Sequence, residues 1–173
     1  AAMSNFMYTF REREMILDIF EMVSGVRMMT TYIRPGGVWR DVPVEFEKAV
    51  RDLLKIMPKR IDEYESLLTK NPIWIARTKG VAPLSAKDAI AWGVTGPTLR
   101  GSGVKWDLRK DQPYSGYETY DFEVPVGTVG DAYDRFQVRV AEMRQSVRIV
   151  DQILAKLPAG EFMAPGVAKV PKP

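Results

Sequence analysis

"DAYDRFQVRVAEMRQSVRIVDQILAKL", Asp131 to Leu157, is the stretch whose periodicity decides the fold. Asp131 can cap a helix in which Tyr133, Phe136, Val140, Met143, Val147, Val150, Leu154 and Leu157 follow at alternating spacings of three and four. Side chains so spaced share one face of an α-helix, and an apolar face of that length needs another element to cover it. About 27 residues at ~1.5 Å each make a rod of roughly 40 Å. A comparable rod is predicted where Pro43 fits a first helical turn and Phe46, Val50, Leu53, Met57, Ile61, Tyr64 and Leu68 repeat the pattern. Pro58 inside it removes a backbone donor and predicts a kink near Leu54 to Pro58. The expected fold is mainly α: a helical bundle with two long antiparallel-packed helices, about residues 43–70 and 131–157.

Outward from these rods, Met3, Phe6, Phe10, Leu17 and Phe20 predict a first helix with Gly25 as its stop. Its apolar stripe is at full strength by Met3 with no cap ahead of it, the pattern expected of a helix that starts further upstream in a longer chain. Asn71-Pro72 predicts a short helix ending at Gly80, and Ser85 with Asp88 reads as a capping box for another ending at Gly93. Periodicity lapses from Thr95 to Gly116, although Trp106 and Tyr114 argue for an ordered, packed loop. Tyr120, Phe122, Val124 and Val126 then alternate with Asp121, Glu123 and Pro125, predicting one small β strand or hairpin at about 119–126. A single helical domain is expected over 1–158, followed by an extended or mobile Pro/Gly-rich tail over 159–173.

Composition bounds the chemistry. The 173 residues are 46% apolar and 27% charged, and 25 Lys plus Arg against 22 Asp plus Glu leave a net charge of +3 with the signs interspersed. Nucleic-acid binding is not indicated, and no apolar run approaches the roughly 18 residues of a membrane span. A soluble, cytoplasmic chain is expected. There is no cysteine and no histidine. Thiolate or imidazole ligation and His-based proton transfer are thereby removed, and no glycine-rich nucleotide fingerprint follows a strand, so the chain alone is expected to bind no nickel, iron or flavin. Glu12 and Glu14, two apart on the first helix, do not share a face and read as surface charges.

Two segments remain candidates for function. "RMMTTYIRPGGVWRD", Arg27 to Asp41, joins the first two long helices and places Arg27, Arg34 and Arg40 around a Pro35-Gly36-Gly37 turn. The paired glycines serve either positive-φ turn geometry or a close approach of the backbone to a partner or cofactor. In the long loop, Arg100, Asp107 and Arg109 are either a polar network holding that loop at an interface or solvated charges.

Four stretches carry a family resemblance: "FREREMILDIFEMVSGVRM", "YIRPGGVWRDVP", "LRGSGVKWDLRKDQPYSGYETYDFEVPVG" and "GDAYDRFQVRVAEMRQSVRI". In this order, and spanning about residues 2 to 163, they resemble the central part of the 49-kDa-type subunit family of respiratory complex I, the proton-pumping NADH–quinone oxidoreductase. The family is related to the large subunits of nickel–iron hydrogenases, whose metal centre needs cysteines this chain lacks. The resemblance implies a peripheral-arm subunit that helps form the quinone-reduction site beside a terminal iron–sulfur cluster. Quinone and cluster would come with the assembled complex, the cluster held by a neighbouring iron–sulfur subunit, and the 30-kDa-type subunit would be a further partner. The family's quinone-headgroup histidine and tyrosine belong to segments upstream of this sequence, so activity is expected only in the complex, at the cytoplasmic face of the inner membrane. The position of Met29 is commonly a histidine beside the cluster in the family, which makes Met29, Arg34, Gly36 and Gly37 candidates for proximity to the cluster or quinone cavity. Met28 and Met29 can equally be gap fillers in apolar packing. The residues without the resemblance suggest a helical protein-interaction module with no redox activity.

Overall fold

The computed structural model describes residues 2–166, and the last part of the expected tail, 167–173, lies outside the described residues. The elements in chain order are α1 (Ala2–Ser24), a hairpin of β1 (Ile33–Arg34) and β2 (Gly37–Val38), then α2 (Phe46–Leu68), α3 (Pro72–Thr78), α4 (Ala86–Ala91), α5 (Gly96–Gly101), α6 (Leu108–Asp111), a 3₁₀ turn at Tyr117–Thr119, and α7 (Ala132–Ala155). The mainly helical fold and its two rods are therefore as the periodicity predicts. Among the described residues no helix is long and apolar enough to cross a membrane.

The central helix α2 packs against α1 on one side and α7 on the other. Cross-contacts fix the directions. Tyr133 near the start of α7 donates its hydroxyl to the carbonyl of Thr69 just past the end of α2 (3.0 Å), while Arg144 further along α7 reaches back to Asp62 (2.8 Å) and to Glu65. Arg11 on α1 pairs with Glu63 late in α2 (3.1 Å), and Met15, Ile19 and Met22 lie beside Ala49 and Leu53 at its start. Both neighbours thus run antiparallel to α2, whose Val50, Ile61, Tyr64 and Leu68 are buried. The helix continues through Pro58.

Local signals did their expected work at the helix starts. The Asn71 side chain accepts from the backbone N–H groups of Ile73 and Trp74, Ser85 accepts from Asp88 N–H while donating to its carboxylate (2.6 Å), and Asp131 accepts from Asp134 N–H.

Two expectations need correction. First, the segment predicted as a strand at 119–126 forms no ladder, and the small antiparallel sheet lies at Ile33–Val38. The alternation was real, since Phe122 is buried and Asp121 and Glu123 are exposed. The backbone, however, is satisfied by side chains of α7: Gln152 accepts from Asp121 N–H (2.8 Å) and Gln145 from Glu123 N–H (3.0 Å). Val138 and Ile149, off the predicted stripe, are also buried, while Leu157, past the end of α7, is exposed. The first helix forms as its stripe predicts, with Leu17 buried and Met3, Phe6 and Phe10 exposed.

Second, Glu12 is not a surface charge. Only 3% exposed, it takes the hydroxyl hydrogen bond of Tyr64, the Nε of Arg11 at 2.5 Å and the Nε of Arg60 at 3.2 Å, whereas Glu14 stays on the surface. Burial, and then the Glu12 carboxylate, push the Tyr64 phenol above its ordinary value, so it remains a donor at all working pH. Tyr64→Phe should therefore destabilise the chain by about 1–3 kcal/mol, because it strips a donor from a buried carboxylate while keeping the ring. Urea unfolding monitored by circular dichroism checks this, and an unchanged midpoint would contradict it.

Candidate functional site

The loop between α1 and α2 is built from its arginines. Gly25 ends α1 with φ +81°, and the chain turns back along the helix. Arg27 then reaches a carboxylate stripe on α1, contacting Asp18 at 2.6 Å, Glu21 at 3.6 Å and Glu14. Arg40 caps the C-terminus of α1, giving Nε to the carbonyl of Val23 (2.9 Å) and Nη2 to that of Met22 (2.5 Å). Its own carbonyl accepts the Tyr32 hydroxyl at 2.8 Å. The loop is pinned at both flanks.

Between the pins, Arg34-Pro35-Gly36-Gly37 closes the hairpin with Arg34 opposite Gly37 and Ile33 opposite Val38. Pro35 with Gly36 at φ +87° is the residue pair a type II turn requires. Gly36 thus serves turn geometry. Gly37 serves close approach, but of the chain to itself: a Cβ there would lie 2.3 Å from the carbonyl oxygen of Phe162. Met28 and Met29 do not fill the chain's own core; Met29 is 87% exposed. Met29 and Thr31 also hold left-handed backbone, φ 57° and 40°, which is unfavourable for residues with a Cβ. The Arg34 guanidinium lies 5.7 Å from the centroid of the Trp39 ring, with Nε near the Thr31 carbonyl (3.3 Å), and it makes no ion pair among the described residues.

Arg100, Asp107 and Arg109 come together as a network, with Arg100 6% and Asp107 5% exposed. Arg109 forks onto Asp107 through Nε (3.0 Å) and Nη2 (2.7 Å). Arg100 reaches Glu142 of α7 at 2.6 Å, the Trp106 carbonyl at 3.0 Å and Asp107 at 3.6 Å. The reading as solvated charges fails, because these groups lock the long loop to α7. Glu142, the partner the sequence reading missed, sits beside Met143 with nothing local to mark it. Beside the lock, Thr95, Pro97, Trp106, Tyr114 and Glu142 line an open cavity of about 410 Å³. No hydrogen bond or ion pair among the described residues links this network to the hairpin loop.

Burial disfavours the Asp107 carboxylate, but the side-chain and backbone hydrogen bonds from Arg109 and the nearby guanidinium charges outweigh it and hold its pKa below the ordinary value.

Fold and site together define a mainly helical framework that carries a braced hairpin loop and a buried arginine–carboxylate lock. The whole chain, residues 1–173, matches the family described as respiratory-chain NADH dehydrogenase, 49 Kd subunit. It is 62% identical to the first D-type NADH-quinone oxidoreductase subunit of Roseiflexus castenholzii over 157 residues, which are 91% of this chain and 38% of that protein. It is 61% identical to the second D-type subunit of Chloroflexus aurantiacus, with the same coverage of 91% and 38%. Against the D-type subunit of Geotalea uraniireducens the identity is 55%, over 99% of this chain and 44% of that protein. The chain belongs to the 49-kDa subunit family of respiratory-chain NADH dehydrogenases. It spans roughly two-fifths of the length of the curated relatives it matches.

The depressed Asp107 pKa has a sign that can be tested. The unfolded carboxyl, with a pKa of about 3.9, binds its proton before the folded one does, so the stabilisation is complete above about pH 5 and is lost as pH falls through the folded value. Asp107→Asn should lower stability at pH 7 and flatten the acid limb. Urea midpoints between pH 3 and 7 for parent and variant check this, and parallel acid limbs would contradict it.

Proposed function

We propose that the chain works as part of the 49-kDa-type subunit of a proton-pumping NADH–quinone oxidoreductase, in the peripheral arm at the cytoplasmic face of the inner membrane. There it helps form the quinone-reduction site beside a terminal iron–sulfur cluster held by a neighbouring subunit. The observation that carries this reading is the hairpin loop: in a chain so similar to D-type NADH-quinone oxidoreductase subunits, an exposed methionine and an arginine with no ion pair among the described residues stand on a loop pinned from both flanks.

The residues fit proximity to a cluster rather than ligation of one. No thiol or imidazole occurs in the chain, while Arg34 keeps guanidinium donors for a carbonyl or carboxylate of the partner subunit or for a quinone oxygen. The cluster, when present in the partner, supplies electrons to the quinone. Arg34 orients an acceptor, and Met29 keeps a thioether at the contact, where it excludes water without offering a titratable group. Arg100, Asp107 and Arg109 hold the long loop in shape at a second contact, whose partner is either the 30-kDa-type or the iron–sulfur subunit.

Size-exclusion chromatography of the chain mixed with the iron–sulfur partner subunit of the same source should give co-elution. A well-folded chain that ignores this partner would leave a helical interaction module without redox activity.

Met29 yields a sharper test in the full complex. With a thioether at the position, the cluster potential should vary little between about pH 6 and 8, the range in which an imidazole would titrate. Met29→His should introduce a pH dependence, because reduction adds negative charge nearby and raises the imidazole's proton affinity. Redox titrations of the cluster signal at several pH values decide it. A parent slope already near one proton per electron would sink the assignment of Met29.

A further inference from the structure

The hairpin has a third strand supplied from far away in the sequence. Phe162–Ala164 runs antiparallel along the free side of β2: Val38 N–H donates to the Phe162 carbonyl (2.9 Å), Ala164 N–H donates to the Gly36 carbonyl (2.8 Å), and Gly37 and Met163 form a bridge. The approach is too close for any side chain at Gly37, where a Cβ would also come within 3.0 Å of the Met163 Cα. The order across this small sheet is therefore β1, β2, then the 162–164 segment. Arg34 stands directly opposite Gly37, and the ladder extends past Val38 through a hydrogen bond from Trp39 N–H to the Tyr32 carbonyl (2.8 Å). The ring against which the Arg34 guanidinium rests thus belongs to the residue following the strand that the segment grips.

We propose that Gly37 and the segment Phe162–Ala164 are positioning elements: together they set β2 and Trp39, and through them the place of the Arg34 guanidinium that faces the partner subunit. The inference deepens the proposed function and rests on it for the identity of that partner. Its physical basis is geometric. A hairpin of two residues per strand is marginal in water, and one flank held by a third strand is what gives it a single shape. The pins at Arg27 and Arg40 fix where the loop leaves and rejoins the helices. Arg40 also lies 5.0 Å from the centroid of the Trp39 ring, but neither pin bonds to the turn residues Arg34–Gly37, and the 162–164 segment does. The lack of any side chain at Gly37 is then a requirement of the site and not only of the hairpin.

The test uses two variants of the full chain that break the grip in different ways. Ala164→Pro removes the N–H that binds Gly36 and leaves Gly37 untouched; Gly37→Ala pushes a methyl group into the Phe162 carbonyl. Proton NMR reads the position of Arg34 through the ring-current shift that Trp39 imposes on its side-chain protons, while amide exchange in α2 and α7 reports whether the fold is intact. Both variants should abolish most of the Arg34 shift and the protection of the Val38 amide, with α2 and α7 still protected. Retention of the Arg34 shift in Ala164→Pro would overturn the proposal.

Affinity for the iron–sulfur partner subunit supplies the second reading. Ala164→Pro should weaken it about tenfold. In an Arg34→Ala background the same substitution should have little further effect, since the segment acts through Arg34. An undiminished effect in that background would overturn the positioning role. A parent chain that does not bind the partner at all would refute the proposed function, while the NMR shift would still decide whether the segment holds Arg34.

Discussion

Everything in this chain hangs on the burial of one helix from two sides. α2 carries Ile61, Tyr64 and Leu68 along a face with almost no access to water, between α1 and α7. Each such side chain contributes on the order of 1.5–3 kcal/mol when removed from water, so the shared seam outweighs any single ion pair around it. Tyr64 gives the seam its specificity. Its ring fills space between helices, and its hydroxyl has a partner only if Glu12 of α1 arrives at the right height. A shift of α1 by one turn would take Glu12 away from Tyr64 and leave a buried phenol without its acceptor, a penalty that apolar contacts alone would not impose.

The rods and caps were legible because they depend on neighbours in sequence. Asn71, Ser85 and Asp131 each bind N–H groups two or three residues away, and the spacing of three and four along 43–70 and 131–157 reports a surface that must be covered. The errors arose where the deciding partner was remote. The alternation at Tyr120–Val126 looked like a strand, yet two glutamines of α7 satisfy its backbone, a use of Gln145 and Gln152 that no local pattern announces. Glu12 looked like one of many surface acids until α2 brought Tyr64 and Arg60 to it. The tight hairpin at Ile33–Val38 had too few residues per strand for periodicity to register, though Pro35-Gly36 did signal its turn. Residues of the candidate loop were picked out by composition and by the family resemblance, whereas Phe162–Ala164 offered no sign of its place beside Gly37.

The arginines divide by what surrounds them, and the division separates structure from function. Arg100 is buried and meets Glu142, Asp107 and the Trp106 carbonyl; a guanidinium withdrawn from water needs those partners, and it ties a long aperiodic loop to α7. Arg27 and Arg40 are spent on α1, one on its carboxylates and one on its terminal carbonyls. Among the described residues, Arg34 has only a ring face and one long contact to a carbonyl. Its two Nη groups have no acceptor there and remain open to another molecule.

The conformation of the loop carries the same distinction further. Left-handed backbone at Met29 and Thr31 costs roughly 1–2 kcal/mol per residue, and Met29 recovers little of this through packing because its side chain lies in water. Such a conformation persists only where the surroundings over-determine it. Here they do: Arg27 and Arg40 fix the flanks, Tyr32 ties to Arg40, and the 162–164 segment fixes the turn. A loop held this firmly with its apolar tip outward has its shape before any partner arrives, so its ordering cost is met in the folding of the chain and not in the encounter. That order of events leaves the Arg34 donor and the Met29 thioether held in one arrangement by the fold itself.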